Sequence, residues 1–124
     1  MEGQTINIRP FIGAKHFEIS KAFYKDLGFQ EVALSTDMSL FKTGELAFYL
    51  QDAYVKEWIE NTMIFIEVKN TQAYYEWLVS LNLAGKYKGV KLTPIRIEHW
   101  GKECFLHDPS GVLWHFGEFF DLNK

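Results

Sequence analysis

Only one cysteine, Cys104, occurs in the 124 residues, so no intrachain disulfide is possible and a reducing compartment is the simplest setting. Positive charge is not in excess: 13 Lys and Arg stand against 16 Asp and Glu, for a net charge of -3. That balance argues against a nucleic-acid partner, which calls for a basic face. No polybasic amphipathic segment marks a membrane surface. No apolar run approaches the length of a transmembrane span, and the N-terminus lacks the apolar centre of a signal peptide. The expectation is a cytoplasmic protein. Aromatic residues, by contrast, are plentiful: 11 Phe, 6 Tyr and 4 Trp make up 17% of the chain. They fill a core by default, and some of them could line a cavity. The length suits a single domain, residues 1–124, that needs no disulfide or metal staple.

The apolar spacing predicts the elements in order. Thr5 to Gly13 alternates as a strand, with Pro10 forcing an edge, a bulge or a departure from the sheet. Phe17 to Leu27 has helical spacing, with Ile19, Ala22, Phe23 and Leu27 on the apolar face and Gly28 as the C-cap. Phe29–Ser35, Met38–Thr43 and Leu46–Gln51 predict three strands, the last two joined through Thr43-Gly44. Ala53–Glu60 is a connector with room for a short helical turn. Thr62–Val68 alternates again, and Asn70 is placed to cap a helix over Thr71–Leu81 whose Tyr74, Trp77, Leu78 and Leu81 face the core. A solvated loop over Leu83–Gly89 leads to strands near Lys91–Glu98, Glu103–His107 and Val112–Phe119. The last two flank Asp108-Pro109-Ser110-Gly111, in which Asp108 caps its own turn.

The second half therefore repeats the first as strand, helix, three strands, with a period near 55 residues. Module one covers about 5–52 and module two about 62–120. The predicted fold class is α+β: two βαβββ modules forming a curved mixed-sheet cup with helices on its convex side. Alternation assigns the faces. Val112, Trp114 and Phe116 go to the core with Ile64, Ile66 and Val68, whereas Leu113, His115, Gly117, Met63, Phe65 and Glu67 face the cup. By parity His107 and His115 fall on opposite faces. Trp100, beside Gly101 at a strand entry, is the strongest binding candidate. Phe11, Tyr49 and Phe65 stack on a ligand or fill the cup, and Glu67 is positioned to pair with Arg9. Trp58 belongs to the surface, Trp77 and Trp114 to the core, and Cys104 to a buried strand as a small apolar residue.

The βαβββ repeat, FYKDLGF at Phe23–Phe29 and DPSGVLWHF at Asp108–Phe116 together resemble the glyoxalase/bleomycin-resistance/extradiol-dioxygenase superfamily, also called vicinal oxygen chelate proteins. Pro10 in the first strand, Leu27-Gly28-Phe29, the Trp100-Gly101-Lys102-Glu103 entry and the His115-Phe116 ending make the bleomycin-binding resistance proteins the nearest branch. The resemblance spans essentially the whole chain. It implies a homodimer with an exchanged N-terminal arm and ligand sites in the dimer-interface cleft. The superfamily's enzymes hold a divalent metal at four cup positions, which align here with Arg9, Tyr49, Met63 and His115. Arginine cannot ligate as a cation and methionine is a soft ligand, so the resemblance implies a metal-free member with no cofactor.

The function so implied is sequestration of an aromatic or glycopeptide-type small molecule, as in antibiotic resistance, by Arg9, Phe11, Tyr49, Met63, Phe65, Glu67, Trp100 and His115, with no catalytic residue. Arg9 places a fixed positive charge in the cup and suits an anionic or carbonyl-bearing ligand better than a cationic one. The alternative is a lyase or isomerase of the glyoxalase/dioxygenase type acting on a small carbonyl or anionic substrate, for which Glu67, His115 and Tyr49 would supply acid–base groups. A purely structural dimerisation module fits less well, given the aromatic and polar residues aimed into the cup.

Overall fold

The computed structural model describes residues 2–120. Strand β1 (Phe11–Gly13), helix α1 (Phe17–Asp26) and strands β2 (Gln30–Ser35), β3 (Met38–Thr43) and β4 (Leu46–Gln51) form the first module. A connector carrying the short helix α2 (Lys56–Glu60) leads to β5 (Met63–Glu67), helix α3 (Thr71–Leu81), the short helix α4 (Leu83–Lys86), β6 (Lys91–Ile97), β7 (Gly101–His107) and β8 (Leu113–Phe119). The repeat is plain in the topology. Each module makes a four-stranded mixed sheet, in the orders β1-β4-β3-β2 and β5-β8-β7-β6, in which the first strand runs parallel to the last and the other pairs are antiparallel.

One core serves both modules. Trp114 of β8 reaches across to Tyr24 of α1 and Phe48 of β4, with ring centroids 5.7 and 5.4 Å apart, and Tyr24 lies 4.9 Å from Phe48. These rings meet at steep angles, the arrangement favoured by their quadrupoles. A polar thread runs through the same contact. Asp108 Oδ1 accepts hydrogen bonds from the backbone N–H groups of Ser110, Gly111 and Val112, which holds the β7–β8 turn as foreseen. Its Oδ2 accepts from the Tyr24 hydroxyl at 2.5 Å, and Trp114 Nε1 donates to that hydroxyl at 3.0 Å. A buried carboxylate with four donors is a satisfied one.

Several sequence expectations are corrected. The first strand is not Thr5–Gly13 but starts at Phe11. Pro10 cannot donate to a ladder, although its carbonyl still accepts from Tyr49 N at 2.9 Å. Among the described residues the segment before it pairs with no strand, and the Ile6 and Ile8 side chains are 91% and 97% exposed. On α1 the buried face is Phe17, Ser20, Phe23, Tyr24 and Leu27, while Ile19 is 46% exposed and Ala22 is also on the surface. Gly28, at φ +106°, ends that helix in the left-handed region where glycine is favoured.

Trp77 is not a core residue: 39% exposed, it packs edge-on against Tyr74 at the seam beside Gly28. Leu83–Gly89 is not all loop, because Asn82 turns left-handed at φ 50° and lets α4 begin with Leu83 buried. Asn70 caps α3 as expected, its side chain accepting from Ala73 N at 2.9 Å.

Candidate functional site

The second sheet carries the richer face. Its register pairs Phe65 with His115 and Met63 with Leu113 on one side of β8, and Phe105 with His115, Glu103 with Gly117 and His107 with Leu113 on the other. Partners in a ladder share a face, so His107 and His115 lie on the same face and not on opposite ones. The β7–β8 turn places His107 opposite Leu113, which fixes the shared face. The structure also brings in two residues that sequence reasoning did not select, Glu103 and Phe105. No signal in the sequence selects them, because the register of β7 against β8 follows from the geometry of the turn.

Glu103 is buried, and its Oε1 lies 2.9 Å from His115 Nδ1. Phe105 meets the His115 ring edge-on at 4.8 Å, and Phe65 lies over it at 6.2 Å. Beyond Phe65 a second aromatic group continues the surface, with Phe65–Trp100 at 6.0 Å, Phe65–Phe119 at 5.7 Å and Trp100–Phe119 at 5.2 Å. Gly117 makes this possible. A Cβ there would sit 2.8 Å from Phe65 Cζ, so only glycine lets the ring lie flat across β8. The result is a wall of four aromatic rings, two of which, Phe65 and Phe105, flank an imidazole–carboxylate pair. On the core face of β7 next to Glu103, burial and then the Glu103 charge push the Cys104 thiol up to about 11, so it stays an unreactive thiol.

The first sheet holds a separate cluster. Phe11 packs on Tyr49 with centroids 4.8 Å apart, and Arg9 Nη1 donates to the Tyr49 hydroxyl at 3.1 Å. Of the eight sequence-selected residues, Arg9, Phe11 and Tyr49 thus assemble beside the first sheet, and Phe65, Trp100 and His115 beside the second. Met63 stands two residues from Phe65 on the same face and is exposed, as is Glu67. Among the described residues no ion pair joins Glu67 to Arg9, which corrects that expectation. Arg9 spends its charge on the face of Tyr49, its guanidinium 5.8 Å from the ring centre.

The four positions aligned with a metal site divide in the same way, Arg9 and Tyr49 beside the first sheet and Met63 and His115 beside the second. Among the described residues no group of three or more His, Cys, Asp or Glu is placed to hold a metal ion. Hollows open at the seam between the modules. A cleft of about 710 Å³ is lined by Phe29, Leu46, Val68, Tyr74 and Trp77, among others. A smaller one of about 300 Å³ reaches from Ile8 and Pro10 to Phe65 and Glu67. Neither hollow is lined by His115, whose side chain is 20% exposed.

The arrangement of two parallel-closed four-stranded sheets around a shared core has counterparts of known structure. A bleomycin-binding protein complexed with bleomycin superposes with a TM-score of 0.77 at 18% identity, covering 94% of this chain and 100% of that one. The chain has the bleomycin-binding-protein fold. A second protein of this fold, from bleomycin-producing Streptomyces verticillus and complexed with copper(II)-bleomycin, gives a TM-score of 0.76 at 22% identity, covering 91% and 95% of the two chains. Lactoylglutathione lyase from Agrobacterium tumefaciens follows at 0.67 and 13% identity, covering 92% and 94%. No family model and no curated protein matches the chain. Among the described residues no helix is long and apolar enough to cross a membrane.

Proposed function

We propose that the chain is a small-molecule binding protein of the bleomycin-resistance type, which sequesters an aromatic ligand between the cup faces of two copies. The observation that carries this reading is the aromatic wall of Phe65, Trp100, Phe105 and Phe119 along one face of the second sheet. Rings of that kind bind flat heteroaromatic groups by stacking, at about 0.5–1.5 kcal/mol per pair beyond the area buried. The fold's occurrence in proteins solved with bleomycin and copper(II)-bleomycin supports the same choice. A binder of this kind needs no metal, and the chemistry of Arg9, Tyr49, Met63 and His115 offers a metal only one good ligand.

Titration with metal-free bleomycin, followed by tryptophan fluorescence, tests the reading. Trp100 in the wall makes saturable quenching the expected outcome, and a flat titration to high micromolar concentration rejects bleomycin as the ligand. Metal analysis of the same sample should return less than stoichiometric Ni²⁺, Zn²⁺ or Mn²⁺. A second reading, a glyoxalase-type enzyme acting on a carbonyl substrate, draws on one observation, the Glu103–His115 pair, which has the geometry of an oriented base. Turnover of a carbonyl substrate that is lost in His115→Phe would favour it.

A further inference from the structure

The sequence points to Arg9 as the polar determinant of the ligand, but the structure engages Arg9 with Tyr49 of the first sheet. The polar group enclosed by the aromatic wall is His115. We infer that His115 Nε2 accepts a hydrogen bond from the ligand, and that the ligand is therefore an aromatic molecule carrying a donor group, a phenolic hydroxyl or a protonated amine. This deepens the binding reading above and rests on it.

Three observations carry the assignment. First, Glu103 fixes the tautomer. An ionised carboxylate only accepts, so the nitrogen 2.9 Å away, Nδ1, carries the proton, and in the neutral ring Nε2 keeps its lone pair. Second, Nε2 is unpartnered on a side chain that keeps 20% of its surface exposed. It has no hydrogen-bond partner among the described residues, and it is not one of the sealed, unpartnered polar atoms there, which are Arg9 Nε and His107 Nδ1.

Third, the surroundings penalise the wrong ligand. Phe105 and Phe65 flank the ring, so a flat molecule stacked on Phe65 covers Nε2 with apolar surface unless it supplies a donor. A covered acceptor without a partner loses its hydration and gains nothing. Charge points the same way. The Glu103 carboxyl stands behind the ring on its Nδ1 side, and Arg96, over the Phe105 ring at 5.9 Å, is already drawn to Glu98 at 3.3 Å. An anionic group placed at Nε2 would meet a lone pair and a carboxylate behind it.

The test uses three naphthalene probes that differ in one substituent: 2-naphthol as donor, 2-methoxynaphthalene as its blocked form, and 2-naphthoate as anion. Each is titrated calorimetrically against the wild-type protein and His115→Phe at about pH 8, where an ordinary imidazole is neutral. The expected result is that naphthol binds about five- to tenfold tighter than its methyl ether, the effect of one hydrogen bond. His115→Phe should bind both alike. Equal wild-type affinity for naphthol and its ether, or a preference for naphthoate, overturns the acceptor assignment and leaves the aromatic-ligand reading standing. Failure of all three probes to bind rejects that reading, and the acceptor with it. Nitrogen-15 NMR of the imidazole needs no variant: the Nδ1–H tautomer is expected in the free protein, and the Nε2–H tautomer refutes the inference.

Discussion

At the scale of single residues, the contact between Tyr24 and Asp108 decides most. Burial raises the Asp108 carboxyl above its ordinary range, and the Tyr24 hydroxyl and three backbone N–H groups pull it partly back. Burial, followed by the Asp108 charge, raises the Tyr24 phenol well above its ordinary value. A carboxyl with a raised folded pKa binds its proton more tightly when native. Its contribution to stability therefore grows as pH falls through the folded pKa towards the unfolded one, against the usual acid trend. Tyr24→Phe removes a donor to Oδ2 and an acceptor for Trp114 Nε1, and should cost about 1–3 kcal/mol in denaturant unfolding near neutral pH. Because the lost bond favours the ionised carboxylate, the cost should shrink when the unfolding is repeated at acid pH. An equal cost at both pH values would show that Asp108 does not titrate against Tyr24. The turn-capping half of this network was legible from Asp-Pro-Ser-Gly, since its partners lie within four residues. The Tyr24 half, 84 residues away, left no trace in the sequence, because a tyrosine on an amphipathic helix gives no sign of what it will meet.

Among the elements, the strands were the most legible. β3 and β4 follow from period-two alternation and the Gly44 turn to the residue, and α3 from its Asn70 cap. Register across the final turn was not, because parity along the chain carries no information about which residue of β7 meets which residue of β8. Glu103 and the shared face of His107 and His115 therefore emerge only from the strand pairing.

Helix α1 shows a different failure. Ile19 and Ala22 look like core positions by hydrophobicity, yet buried Ser20 occupies the tight approach to the β7–β8 turn, its Oγ 3.4 Å from that of Ser110. The choice among apolar residues was made by space and not by transfer energy. Thermal or denaturant unfolding of two variants checks this. Ile19→Ser should stay within about 0.5 kcal/mol of wild type, as surface changes do. Ser20→Leu should lose about 1–3 kcal/mol through overpacking. The reverse order would restore the face that the sequence suggests.

For the whole molecule, exposed surface decides the state of assembly. A compact monomer of 14.5 kDa exposes about 6,900 Å² by the usual scaling, and this chain exposes 8116 Å². The excess is somewhat more than one partner's share, about 800 Å², of an ordinary interface. Its position is informative. Ile6 and Ile8 extend along an arm that pairs with no strand among the described residues, while Phe11, Met63 and Phe65 lie open on the two sheet faces. Apolar side chains at alternate positions on an extended segment form one sticky edge, and a second copy supplies the faces it would fit. The expected state is therefore a dimer of twice 14.5 kDa by light scattering or sedimentation at micromolar concentration. Deleting residues 2–8 should weaken it and lower aromatic-ligand affinity in parallel, because the cup faces then lose their cover. A full-length monomer that binds ligand unaided would refute the shared site. A dimer indifferent to the deletion would move the interface off the arm and onto the sheet faces alone.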